Sequence, residues 1–293
     1  MAVGIIGSGF GLYGYLPALS HLGFEINLLS RYRKNLEIRP ELIDFMRSVK
    51  FFENERDLIA NSNSIVIART PELQFNFICE YSGIFDHVYL EKPIAPNNTQ
   101  SKKALDVLKE RNQHFSIAYL FIYTDWFKQL SDFLLYSRGD VIEVSWVQVI
   151  AGGWKNEVES GGGTLRYYGI HFVAVVEALN PMLTSVNYKY NSTSISISCE
   201  SIYGSTVVFL LSYSTNPNFS IKSNLKVQVQ QETPFGRSGE FGEIDPRVPV
   251  IAHYLQSATL SENPLDFSNL ETRVQSTLTL IENGFGKESI IHV

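Results

Sequence analysis

The chain has little cysteine, since Cys79 and Cys199 are the only two among 293 residues. They show neither the close spacing of a metal site nor the density of a disulfide-stapled secreted domain. We therefore expect two reduced, buried thiols, no bound metal and a cytoplasmic location.

An excess of positive charge is also lacking. The sequence has 24 lysine and arginine residues against 30 aspartate and glutamate residues, for a formal net charge of −6. Surfaces that hold nucleic acid are usually basic. We therefore expect a small-molecule substrate and no nucleic-acid partner.

Long apolar runs are missing as well. No stretch approaches the roughly 20 apolar residues of a membrane-spanning helix, and the short N-terminal apolar stretch has no basic flank. We expect no signal peptide and no membrane partner. Hydrophobic residues still make up 44% of the chain, which is ample for packed cores.

The pattern along the chain indicates an α/β protein with two domains. Residues 1–118 alternate strand-like and helix-like stretches, which is typical of a parallel Rossmann sheet. Residues 119–293 contain short alternating strands such as SISISC and LKVQVQ. That alternation predicts an α+β domain with a large, mainly antiparallel open sheet.

The stretch GIIGSGFGLYGYLPAL nearly matches the dinucleotide-binding fingerprint Gly-x-Gly-x-x-Gly. Gly7 and Gly9 fit, but Leu12 takes the place of the third glycine. Between a strand and a helix, Gly7 permits a tight turn and Gly9 the close approach of a pyrophosphate. We predict a nucleotide loop that also includes Phe10 and Gly11; an α/β domain that binds no nucleotide is the alternative.

The end of the second predicted strand bears on which nucleotide is bound. Ser30 and Arg31 stand there, with Arg33 and Lys34 close behind and no acidic residue before Glu37. A hydroxyl and a guanidinium suit a 2′-phosphate, whereas NAD-binding folds place an acid at this point. NADP(H) is therefore favoured over NAD(H), with an ordinary basic surface turn as the alternative.

Two further stretches carry groups suited to proton and charge transfer. Glu91-Lys92-Pro93 follows a predicted strand, where open α/β sheets bind ligands. The stretch ESGGGTLRYYGIHF turns helical at its end and carries His171 early in that helix. An imidazole is a common acid or base near neutral pH.

Taken in order, the glycine loop, Thr70-Pro71, Glu91-Lys92-Pro93 and the GGG…H stretch resemble the Gfo/Idh/MocA family of oxidoreductases. The resemblance covers nearly the whole chain. It implies a dinucleotide-binding domain at 1–118, with Thr70, Pro71, Glu91 and Lys92 at the cofactor. It also implies a substrate-binding and oligomerisation domain at 119–293. Lys92 and His171 correspond to the family's catalytic lysine and histidine.

The chain departs from the family pattern at two positions. Tyr167 stands four residues before His171, where the family usually has aspartate, and Phe75 ends a Thr-Pro-x-x-x-His pattern. A tyrosine with a pKa near 10 is a poor base at neutral pH, which favours reduction over oxidation.

Three neighbouring residues are candidates for substrate binding. Arg166 suits a carboxylate or phosphate on a sugar acid or nucleotide sugar, unless it forms a surface ion pair. Trp154 and Tyr168 suit stacking on a sugar ring, or equally a place in the core.

These observations favour an NAD(P)-dependent oxidoreductase that transfers hydride to or from a carbonyl or hydroxyl carbon of a sugar, nucleotide sugar or cyclitol. We expect a homodimer or homotetramer assembled through the C-terminal sheet. Two alternatives remain open. One is a non-catalytic nucleotide-binding regulator, and the other is a reductase of a larger conjugated ligand such as a bilin.

Overall fold

The computed structural model describes residues 1–150, 152–223, 227–259, 267–284 and 289–292. The chain divides into two compact units. The first contains Met1–Ala95, Thr99–Ala118 and Ser238–Ser268. The second contains Pro96–Asn98, Tyr119–Arg237 and Asn269–Val293. The boundary near residue 119 stays a prediction. The sequence assigned the described part of Ser238–Ser268 to the second domain, whereas it packs with the first unit.

The strands are β1 Ala2–Ile6, β2 Glu25–Leu29, β3 Val49–Phe52, β4 Ser64–Ile67, β5 His87–Leu90, β6 Phe115–Ile117, β7 Val141–Gln148, β8 Leu183–Asn191, β9 Ser194–Ser201, β10 Thr206–Tyr213, β11 Asn218–Ser223, β12 Val227–Gln231 and β13 Ser289–His292. The α-helices are α1 Leu16–His21, α2 Arg33–Glu37, α3 Glu55–Ala60, α4 Pro71–Tyr81, α5 Asn98–Glu110, α6 Asp125–Tyr136, α7 Ile170–Leu179, α8 Val248–Thr259 and α9 Phe267–Asn283. Two π-helical turns, Gly11–Tyr15 and Thr164–Gly169, precede α1 and α7.

The first unit is built on a six-stranded parallel sheet with the order β3-β2-β1-β4-β5-β6. This is the order of a dinucleotide-binding Rossmann sheet. The central strands β1 and β4 read AVGII and SIVI and are buried almost throughout, as expected where helices cover both faces. The turns after β1, β2, β4 and β5 therefore all lie at one edge of the sheet.

The second unit contains a seven-stranded sheet with the order β12-β11-β7-β10-β9-β8-β13. Neighbouring strands in this sheet are antiparallel, except for β7 and β10, which are parallel. In β9, Ile195, Ile197 and Cys199 are buried, whereas the serines between them are partly exposed. The predicted fold class is thereby confirmed. Leu225 and Lys226 of the predicted strand LKVQVQ lie outside the described residues.

An aromatic cluster packs on the buried face of this sheet. Phe172 of the apolar helix α7 contacts Phe209 of β10, with ring centroids 5.3 Å apart, and also the Trp146 ring of β7. Phe121 packs against Trp126 and Trp146 in the same cluster. Because such rings bury large apolar areas, this cluster forms the centre of the second core.

The thiols differ in exposure, although both are free. Cys199 is buried, and burial raises the pKa of its thiol, whereas Cys79 is only half-buried. The expectation of two buried thiols is therefore correct for Cys199 and needs correction for Cys79, which lies on the half-exposed side of α4. Among the described helices, none combines the length and hydrophobicity needed to cross a bilayer.

A carboxyl group lies inside the second core. Glu271 of α9 is fully buried, accepts a hydrogen bond from the Tyr119 hydroxyl and accepts a second from Gln275 Nε2 at 2.8 Å. Burial raises the pKa of Glu271 to about 7, although both hydrogen bonds oppose the shift.

We predict that Glu271 makes stability depend on pH. Its pKa is about 7 in the folded chain, against an unfolded value near 4.3. Between these values the folded state keeps a proton that the unfolded state has released, so the free energy of unfolding falls as pH rises. The loss should reach roughly 4 kcal/mol. Urea unfolding across this range should show the slope in the wild type and a flatter profile in Glu271→Gln; parallel profiles would contradict the assignment.

Candidate functional site

The loop after β1 depends on a glycine that no other residue can replace without strain. Gly7 has a φ of +145°, and a Cβ there would lie 2.1 Å from the carbonyl oxygen of Ala68. Its backbone N–H donates to the Tyr32 hydroxyl at 3.2 Å. The loop thus passes directly against the end of β4, which only glycine permits.

The neighbouring glycines have different roles. A Cβ on Gly9 would meet nothing within 4 Å, so the backbone there is open to a close-lying ligand. A Cβ on Gly11 would lie 2.9 Å from Ile5 Cγ2 and 3.4 Å from Ala68 Cβ. Gly11 therefore makes the helix–sheet contact that the third glycine of the fingerprint usually makes. The π-helical turn starts at Gly11 and leaves Leu12 buried.

An arginine from late in the chain packs on this loop. The Arg247 guanidinium carbon lies 4.3 Å from the centre of the Phe10 ring, a cation–π distance. Asp245 accepts two bonds from the same guanidinium, at 2.8 and 2.7 Å. Burial alone would lower the Arg247 pKa, but Asp245 holds it above its ordinary value. Sequence reasoning missed this residue because nothing local marks its contact with Phe10.

At the end of β2, carboxylates contact Ser30 and Arg31, the two residues predicted to bind a 2′-phosphate. Ser30 Oγ donates to Glu53 at 2.7 Å, and Arg31 donates to Glu55 at 2.8 Å. Arg69 also pairs with Glu55. Burial favours a raised pKa for Glu55, but Arg69 and Arg31 lower it below its usual range. The two carboxylates follow β3, the neighbouring strand, and were not predicted.

The turn after β5 holds Lys92 between two anchored residues. The Tyr15 hydroxyl donates to Glu91 Oε1 at 2.6 Å. Gln74 of α4 accepts from the Glu91 backbone N–H at 3.0 Å and donates to the carbonyl oxygens of Glu91 and Pro93 at 2.6 and 3.1 Å. The Lys92–Pro93 peptide is cis. Thr70 and Pro71 start α4 and so place Gln74 beneath this turn.

The Glu91 carboxyl has an unusual environment. Burial raises its pKa, while the Tyr15 hydrogen bond and the charges of Lys92 and Arg247 oppose that shift. In turn, burial and the neighbouring Glu91 raise the pKa of the Tyr15 hydroxyl well above 10. The Tyr15 hydroxyl therefore stays protonated at neutral pH and is the donor of this pair.

In the second unit, His171 lies within the aromatic cluster. Its ring stacks on Phe121 at 4.4 Å with an interplanar angle of 15°, and it meets the edge of Trp146 at 6.2 Å. Only 7% of the residue is exposed. The imidazole thus lies in a largely aromatic environment with little exposure to solvent.

Tyr167 lies in the π-helical turn before His171 and has an aromatic neighbour on each side. Its ring meets those of Trp154 at 5.4 Å and Tyr168 at 4.7 Å, both edge-on. Tyr168 is buried and donates to the Val149 carbonyl at 3.3 Å. A Cβ on Gly162 would lie 2.1 Å from the Trp154 carbonyl oxygen, so the triple glycine lets this segment pack against the turn.

Arg166 is buried rather than solvated. It donates to both carboxylate oxygens of Glu282, at 2.7 and 3.0 Å, and Asn98 donates to the same carboxylate. Its Nη1 atom is buried without a hydrogen-bond partner among the described residues. The guanidinium that the sequence assigned to a substrate anion therefore already holds a carboxylate of its own chain, and its role as a substrate ligand stays a prediction.

The structure thus groups the predicted residues by unit. At one edge of the first sheet it brings together the glycine loop, Ser30–Arg31, Thr70–Pro71 and Glu91–Lys92. In the second unit the ring of Tyr167 contacts the rings of Trp154 and Tyr168. His171, four residues after Tyr167, lies in the aromatic cluster. Within the described ranges, no three His, Cys, Asp or Glu side chains are grouped closely enough to hold a metal ion.

No known protein family and no curated protein matches the chain in sequence. Solved structures match it over nearly the whole length. A myo-inositol dehydrogenase from Corynebacterium glutamicum has a TM-score of 0.72 and 9% identity, covering 100% of this chain and 99% of its own.

Two structures with a bound nicotinamide dinucleotide have similar folds. The WlbA (WbpB) dehydrogenase from Thermus thermophilus, in complex with NAD and UDP-GlcNAcA, has a TM-score of 0.66 and 15% identity, covering 96% of this chain and 94% of its own. KijD10, a 3-ketoreductase from Actinomadura kijaniata in complex with NADP and TDP-benzene, has a TM-score of 0.68 and 15% identity, covering 98% of both chains. The fold implied by the family resemblance is confirmed.

Proposed function

We propose that the chain is an NAD(P)-dependent oxidoreductase acting on a carbonyl or hydroxyl carbon of a sugar, nucleotide sugar or cyclitol, with reduction favoured. The observation that carries this proposal is the shared sheet edge of the glycine loop and the anchored Lys92 turn. Three similar structures support it: a dehydrogenase in complex with NAD and UDP-GlcNAcA, a myo-inositol dehydrogenase, and a 3-ketoreductase in complex with NADP and TDP-benzene.

The glycine loop fits a dinucleotide. Gly7 has no room for a Cβ, Gly9 faces open space and Phe10 is held by Arg247. Backbone N–H groups from Gly9 to Gly11 would receive the phosphates, and Thr70 and Pro71 would lie beside the same ligand. The nicotinamide, when bound, donates or accepts the hydride.

During reduction, negative charge develops on the substrate oxygen. We assign its stabilisation to the Lys92 ammonium, since a fixed positive charge is most effective where water is excluded. His171 is the proposed proton donor. Either the Tyr167 hydroxyl relays that proton, or the Tyr167 ring only shapes the pocket. Trp154, which is half-exposed, is the better candidate for stacking on a sugar, because Tyr168 is buried.

A regulator that binds the nucleotide without turnover is the second candidate. The burial of His171 between aromatic rings favours it, because a proton donor needs access to its substrate. Tyr167, in place of an aspartate, favours it too. Measured turnover separates the two candidates.

We predict that Lys92→Ala and His171→Ala each lower turnover by about 10²–10⁴-fold while NADPH binding survives, because each removes a group whose main assigned task is in the chemical step. Tyr167→Phe should cost as much only if its hydroxyl relays the proton. The assay is NADPH oxidation against keto-sugars and nucleotide keto-sugars. Dinucleotide binding with no turnover on a broad panel would transfer the assignment to the regulator.

We propose that NADP(H) is preferred over NAD(H). Arg31 is more than half exposed, whereas Arg69, which shares Glu55 with it, is largely buried. Arg31 can therefore turn to a 2′-phosphate while Arg69 still neutralises Glu55. The Glu53 and Glu55 carboxylates work against this preference by repelling the phosphate.

Replacing Arg31 by Ala should weaken NADPH binding by about 1–3 kcal/mol and leave NADH nearly unchanged. Glu55→Gln should strengthen NADPH relative to NADH, because it removes a repulsive charge. Glu25→Gln, which removes a carboxylate paired with Lys50 at the other end of β2, is the matched control. Calorimetry with both nucleotides decides; equal affinities in the wild type would remove the proposed preference.

We propose a homodimer or homotetramer assembled through the open face of the second sheet. In β10 the partly exposed Val208 and Leu210 alternate with buried residues, and Leu210 lies between Ser196 and Ser145. Apolar side chains on an exposed sheet face are a natural contact between identical chains.

Light scattering should report an oligomer at micromolar concentration. Leu210→Glu should dissociate it, because a carboxylate would be buried in the contact. Leu135→Glu, a change at an exposed position of α6, is the control and should leave the mass unchanged. A monomeric wild type would refute the proposed assembly.

A further inference from the structure

Gln74 clamps the main chain on both sides of Lys92. Its side chain is fully buried, and the amide makes three bonds to backbone atoms of Glu91 and Pro93. No bond involves the side chain of either residue. Losing the amide would take this donor from the carbonyl oxygens of Glu91 and Pro93, and it would leave the Glu91 N–H only its longer bond to the Ile67 carbonyl, at 3.2 Å.

Gln74 acts on Lys92 by fixing the backbone on either side of it, not through charge. The Gln74 amide is neutral, and the bonds of 3.0, 2.6 and 3.1 Å fix the positions of the residues just before and just after the lysine. The four-carbon stem of Lys92 then starts from a fixed Cα. A flexible ammonium gains most of its placement from such an anchor.

We infer that Gln74 is a positioning residue for Lys92, holding the turn from which its ammonium reaches a bound nicotinamide dinucleotide. The inference rests on the proposed function, since it gives Lys92 a task at that ligand. It goes further by assigning the placement of Lys92 to one buried amide on α4.

The same unit offers a matched control. Gln113 is also buried, and its amide likewise clamps backbone, accepting from the N–H of Gly83 at 2.8 Å and donating to the carbonyls of Phe85 and His114 at 2.9 and 2.8 Å. These contacts lie before β5 and β6, whereas Gln74 acts after β5. Gln113→Met therefore removes an equivalent clamp at the opposite end of the strand that leads to Lys92.

The experiment compares Gln74→Met and Gln113→Met in the full chain. Lysine acetylation by acetic anhydride is followed at Lys92 by mass spectrometry, with and without saturating NADPH, and thermal unfolding is recorded in parallel. Both variants should lose similar stability. Only Gln74→Met should lose most of the protection that NADPH gives Lys92, and its turnover should fall by about 10–10²-fold where a substrate is found.

A second variant, Gln74→Glu, keeps the inference testable if Gln74→Met does not fold. Gln74→Glu keeps the size of the side chain; its neutral form donates to a carbonyl, whereas its ionised form repels both carbonyls. Protection of Lys92 relative to wild type at the same pH should therefore recover as pH is lowered in this variant, and stay low in Gln74→Met.

The outcomes separate the inference from the function on which it rests. If NADPH fails to bind or to protect Lys92 in the wild type, the proposed function falls. If the wild type is protected and the two methionine variants behave alike, Gln74 is purely structural and the inference is overturned. Full protection in Gln74→Glu at every pH overturns it as well.

Discussion

The first unit depends on the close approach of two backbone segments, Gly7 after β1 and Ala68 after β4. A side chain on Gly7 would collide with the Ala68 carbonyl, so the two strand ends stay in direct contact only while this position remains glycine. That contact places the glycine loop beside Thr70 and the start of α4. Because α4 carries Gln74, the same approach indirectly fixes the Lys92 turn.

Both motif segments wind into π-helical turns, and each does so just after glycines. Gly11–Tyr15 follows Gly7 and Gly9, and Thr164–Gly169 follows the triple glycine. A π turn places an extra residue within one helical turn and redirects the side chains around it, which is why such turns recur at functional sites. In the first turn this accommodates Leu12, and in the second it presents Tyr167 between two aromatic rings.

Much of the fold was predictable from local pattern. Apolar strands alternating with helices indicated the parallel sheet, and the serine–isoleucine alternation of β9 indicated the open sheet. Contacts between distant residues were not predictable, because they leave no periodic trace. The pairing of Ser30 with Glu53, of Arg166 with Glu282 and of Arg247 with Phe10 each joins separate parts of the chain. The sequence indicated Ser30, Arg166 and Phe10 as candidate site residues but gave no sign of their partners Glu53, Glu282 and Arg247.

The discontinuity of the first unit has a consequence for synthesis on the ribosome. Helix α8 packs on α1, and the Tyr254 hydroxyl lies 2.8 Å from Ser116 Oγ inside the core. A nascent chain ending near residue 118 lacks that helix and exposes the apolar surface it covers. The first unit therefore cannot finish folding before most of the second is synthesised. Its last helix, α8, leaves the ribosome only after most of the second sheet has been made. The apolar surface that α8 covers is therefore exposed for most of translation and is available to a chaperone.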